Sequence, residues 1–172
     1  MRRCHAVLVL LAFGSCGEVR HVCKTSVRDQ RLGEAAEAVG VGPAAADAQA
    51  EGRRAACRHL GEWSPEARTT IAACTDWRIA EERSLPTQDQ VRVWHVCSWN
   101  GLDGDGLPFE EPTEANARRI NEGAAEWRSQ LVAIRDAYVE TCMTDDDRYT
   151  VSHSCEEKGW LHDTLSPCGA FH

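Results

Sequence analysis

Lysine is nearly missing. The chain holds two among the 19 basic residues of its 172, and arginine makes up the rest. Nowhere do Lys and Arg gather into a run long enough to track a phosphate backbone, and the net charge is −8. That balance excludes nucleic acid and argues against electrostatic binding to an anionic membrane surface. Aromatics are scarce at 6 %, yet six of them are Trp. No C-x-x-C spacing occurs, so zinc-ribbon knuckles and the thioredoxin-type redox motif are both missing. No G-x-S-x-G, H-E-x-x-H, P-loop, dinucleotide fingerprint or C-x-x-C-H haem attachment is present. Among 27 acids nothing singles out a catalytic pair. No apolar run approaches the roughly 20 residues that a membrane-spanning helix needs.

What is present begins at the N-terminus. Met1-Arg2-Arg3 is a short basic start, and Ala6 to Phe13 (AVLVLLAF) is an eight-residue apolar run. Small residues, Gly14 and Ser15, follow. This is the layout of a secretory signal peptide over 1–15. Phe13-Gly14-Ser15-Cys16 resembles the lipobox of bacterial lipoproteins, with Phe13 where Leu is usual. The resemblance implies that Cys16 is lipidated and becomes the first residue of the mature chain. Cleavage after Gly14 is the alternative, and it leaves Cys16 for a disulfide. Either way Arg2 and Arg3 are lost and the net charge moves from −8 to about −10.

Nine cysteines are scattered along the chain. In an exported protein this pattern reads as a disulfide framework. Cys23, Cys57, Cys74, Cys97, Cys142, Cys155 and Cys168 are the candidates. If Cys16 also pairs, the eight allow about 105 connectivities.

The most regular feature lies at 113–143. Ile120, Ala124, Trp127, Leu131, Ile134, Tyr138 and Cys142 fall on one face of a helix, sampled at nearly every turn. The pattern places Trp127 in the core. Helices are also expected over 18–39, where Val19, Cys23 and Val27 share a face, and over 44–60. Ser64-Pro65-Glu66 starts another with an N-cap, a Pro at the first helical position and an early acid. Gly123, inside the long helix, marks a close helix crossing.

Segment 87–99 carries a capping box before an alternating β-branched run; the caps favour a helix and the alternation a strand. A second capping box, Ser154 to Glu157, starts a short helix ending near Leu165. These readings sum to a single all-α, disulfide-stapled domain over 16–172, packed on the long helix. Val19-Arg20-His21-Val22-Cys23 also matches Val93-Trp94-His95-Val96-Cys97 at four positions of five, which frames a second reading as two divergent helical repeats.

Three His-x-Cys pairs, His21/Cys23, His95/Cys97 and His153/Cys155, have donor types suited to zinc or copper. Oxidised cysteines are not thiolate ligands, so these read as structural cysteines beside ordinary histidines. Asp103-Gly104-Asp105-Gly106 resembles an acidic calcium loop, but the EF-hand register fails: Pro112 falls where the last ligand should be. Trp94 and Trp99 flank His95 and Cys97, where they pack in the core or line a groove. The sequence assigns no catalytic residue, metal site or cofactor. Its expectation is an exported, membrane-tethered, non-catalytic binding or structural module of the cell envelope, whose partner is a protein or a small molecule. A small extracytoplasmic hydrolase using acidic or His side chains, with or without a metal, is the competing class.

Overall fold

Cys23, Thr25, Val27 and Asp29 are all fully buried, while Lys24 and Arg28 between them are exposed. Burial at every second residue belongs to a strand. The computed structural model describes residues 17–93, 96–102 and 107–161. In it this segment is strand β1 (Gly17–Asp29), which turns back into β2 (Ala35–Gly42). Gly33, at φ 72°, supplies the left-handed residue of the connection. The helix expected over 18–39 is therefore wrong. Its anchor positions are four apart, and a spacing of four fits a period of 2.0 as well as one of 3.6.

β1 is the centre of a three-stranded antiparallel sheet in the order β2-β1-β3, with β3 formed by Tyr149–Leu161. This overturns the helix expected from Ser154, of which 162–165 lie outside the described residues. Residues 149 to 161 pair with β1 along its whole length, Tyr149 against Asp29 and Leu161 against Gly17. That ladder outweighs the local capping signal. The described residues of segment 87–99 form neither an α-helix nor a strand: they hold a 3₁₀ turn at Gln90–Val93, and a second spans Trp99–Gly101.

The helices follow their sequence signals more closely. They are α1 (Ala45–Gly61), α2 (Pro65–Glu82) and α3 (Ala115–Thr144). Ser64 caps α2, its Oγ accepting the Ala67 amide at 3.1 Å. Along α3, Ile120, Ala124, Leu131, Tyr138 and Cys142 are buried, and Ile134 packs beside them. Trp127 is only half-buried, and Trp99 takes the core position instead, 6 % exposed with its Nε1 donating to Arg58 O. Gly123 does mark a crossing: a Cβ there would lie 2.6 Å from Trp77 of α2.

The all-α class fails, because a sheet forms one side of the core. The protein is an α+β fold in which α1, not the long helix, is the middle layer. α1 lies on β1 and β2 through Ala48, Gly52 and Ala56, three buried small residues spaced four apart. Its other side meets α3. Val27, Ala56, Cys57, Leu60, Tyr138, Cys142 and Tyr149 form the main core cluster across all three layers. The repeat fails with the helical class. Cys23 and Cys97 would correspond, but the first lies in a strand and the second outside any strand or helix; Cys74 lies in a helix and Cys155 in a strand.

Candidate functional site

The densest electrostatic cluster lies where β1 ends and β3 begins. The Asp29 carboxylate is completely buried. Arg148 donates to it through Nη2 at 2.6 Å and Nε at 3.1 Å, and Tyr138 through its hydroxyl at 2.8 Å. The amides of Arg31 and Leu32 complete the set. Burial pushes the carboxyl up, but the bonds from Arg148, Tyr138 and the two amides outweigh it and hold it at about 2. The hydrogen bond to Asp29 keeps the Arg148 guanidinium protonated, and burial raises the phenols of Tyr138 and Tyr149. The guanidinium also lies over the Tyr149 ring, 4.8 Å from its centroid. Both tyrosines of the chain meet here edge to face. The carboxylate is sealed from solvent, and its bonds to Arg148 and Tyr138 fasten the ends of β1 and β3 to α3. The sequence reading missed it, and the Arg148-Tyr149 dipeptide beside an acidic run was its only local sign.

The inner face of the sheet collects two of the three His-x-Cys pairs. Cys23 and Cys155 sit directly opposite each other and are bridged. His21 lies beside Glu157, Nδ1 to Oε1 4.0 Å, and His153 Nδ1 is 2.9 Å from Thr25 Oγ1. The bridge removes both thiolates as ligands. Among the described residues no group of three or more His, Cys, Asp or Glu is placed to hold a metal. Thr25 and His153 have the atom types of a nucleophile and its base, but Thr25 is fully buried and a Cβ on Gly52 of α1 would lie 2.6 Å from its hydroxyl. No substrate reaches that oxygen.

The remaining candidate cysteines divide cleanly. Cys57 bridges Cys142, joining α1 to α3, and Cys74 bridges Cys97. Three bridges among the described residues point to an oxidising, extracytoplasmic environment. The segment 1–15 expected to be a signal peptide, Cys16, Trp94, His95, the acidic loop from Asp103 to Gly106, and Cys168 lie outside the described residues. Among the described residues no helix is long and apolar enough to cross a membrane.

Two surfaces are left open. Among the described residues no helix lies on the outer face of the sheet. Val22 pairs with Val41 and Lys24 with Val39 across β1 and β2, and Val39 is 57 % exposed. Lys24 bonds Glu37 at 2.6 Å on the same face. The second surface is a cleft of about 380 Å³ between α1 and α3. Compared with protein-family models, curated proteins and solved structures, the chain matches none. The fold and its bridges define a class, an α+β domain with three disulfides among the described residues.

Proposed function

We propose that the protein is a non-catalytic binding module of the cell envelope, exported by its N-terminal leader and held at the membrane by lipid on Cys16. The observation that carries the binding role is the uncovered sheet face with its strip of Val22, Val39 and Val41. Valines side by side on an open sheet keep apolar area in water that a partner would bury. The three bridges support the extracytoplasmic setting, and one of them, Cys23–Cys155, ties the central strand β1 to β3. The lipid rests on the position of Cys16 directly after an apolar run and two small residues.

Photo-crosslinking in cells tests the binding role. A crosslinker replacing Val39 is expected to capture an envelope component that the same group at exposed Thr69 on α2 does not. Equal capture at both positions, or none at Val39, contradicts it. Intact mass of the mature protein tests the tether separately: acyl chains on an N-terminal Cys16 support it, and Cys16 found in a disulfide refutes it.

A further inference from the structure

We infer that the cleft between α1 and α3 is a self-association surface, and that its occupant is a second copy of this chain. The α1 wall carries Arg54 and Arg58, four apart and so on one face of the helix. The α3 wall carries Asp136 and Glu140, also four apart, and half-buried Val139 and Met143 lie with them. All four charged residues are exposed. Among the described residues neither Arg54 nor Arg58 has an ion-pair partner, and Asp136 has only its chain neighbour Arg135. One wall is positive and the other negative, and among the described residues no ion pair closes across the cleft.

That arrangement selects the occupant. A simple anion drawn to the two guanidinium groups would meet two carboxylates across the cleft. A cation would meet the opposite conflict. A second copy resolves both. α1 and α3 run antiparallel, since Arg53 reaches Cys142 O and Asp146 while Gly61, at the other end of α1, lies against Tyr138. Cys57 is bridged to Cys142, so Arg58 is level with Glu140, and Asp136 lies about one turn further toward the Gly61 end. A two-fold axis along the cleft keeps that level and exchanges the walls, so the Arg wall of each copy meets the acidic wall of the other. Val139 and Met143 of both copies then meet near the axis. Four helices pack together, and each ion pair occurs twice.

Light scattering of the mature protein measures the mass directly, in buffer if the protein is soluble and in detergent if it is lipidated. The expected result is twice the chain mass. Arg58→Glu and, independently, Arg54→Glu are expected to weaken dimerisation about tenfold or more, because each change acts twice. Combining Arg58→Glu with Glu140→Arg is expected to restore the dimer. An unchanged far-UV circular dichroism spectrum of each variant shows that the fold is intact, since these side chains are exposed. A monomeric wild type overturns the inference, as does a dimer that survives both single substitutions. Neither result bears on the binding role of the sheet face, which is read by a different experiment at a different position.

Discussion

Asp29 shows how one residue turns an unfavourable burial into a fixed point. A carboxylate taken out of water is costly unless nearly every lone pair is used. Here five donors converge on two oxygens, two of them from Arg148. The two tyrosines at the cluster are not equivalent. Tyr138 donates to the charge, whereas the buried Tyr149 hydroxyl makes no hydrogen bond among the described residues. Tyr138→Phe is expected to cost about 1.5–3 kcal/mol, as for a bond to a charged group, and Tyr149→Phe to be neutral or stabilising. Denaturant unfolding of the two variants checks this, and the reverse order would contradict it. The carboxyl also carries a pH dependence. Its folded value lies at about 2, below the ordinary 3.8, so its contribution is complete above about pH 4 and disappears as pH falls toward 2. The size is about 2 kcal/mol. The stability gap between the wild type and Asp29→Asn is therefore expected to narrow by that amount between pH 6 and pH 2; a gap independent of pH would sink the assignment.

At the scale of elements, legibility followed the kind of signal each segment carried. α2 and α3 could be read because an N-cap with Pro and a repeating apolar seam are local statements. β1 was hidden because Cys23 and Val27, four apart, satisfy strand and helix alike. Thr25 and Asp29, the buried polar residues that complete the alternation, look like surface residues until their partners are known. β3 was hidden for another reason. Its Glu156-Glu157-Lys158-Gly159 stretch is poor in strand formers, and pairing with β1 holds it extended. With the hairpin read as a helix, the open sheet face could not be foreseen. The charge rows on α1 and α3 were visible as pairs four apart, but their juxtaposition needs the packing of the two helices. The contact of α1 with β2 carries its own prediction. A Cβ on Gly40 would lie 2.0 Å from Ala48 O and 2.3 Å from the Gly52 amide, both backbone atoms of α1. Gly40→Ala is expected to cost about 3 kcal/mol, the upper end for overpacking, because no side chain can turn aside. Thermal unfolding measures it, and a loss below about 0.5 kcal/mol would mean that α1 does not sit so close.

For the whole molecule, the cysteine count and scatter were readable and the connectivity was not, because pairing depends on which elements meet. Cys23–Cys155 and Cys57–Cys142 close separations of 132 and 85 residues, tying β1 to β3 and α1 to α3. Cys74–Cys97 fastens α2 to the segment that leads to Trp99. Losing a native bridge typically costs about 2–5 kcal/mol, and these loops overlap, so their effects do not add. The pairs follow from the fold: Cys23 faces Cys155 because residues 17–29 and 149–161 are neighbouring strands in that register. Peptide mapping of the mature protein under non-reducing conditions therefore tests the architecture most directly. The expected result is Cys23–Cys155, Cys57–Cys142 and Cys74–Cys97 as linked peptides. Cys23 or Cys155 recovered as a free thiol, or joined to another cysteine, would contradict it.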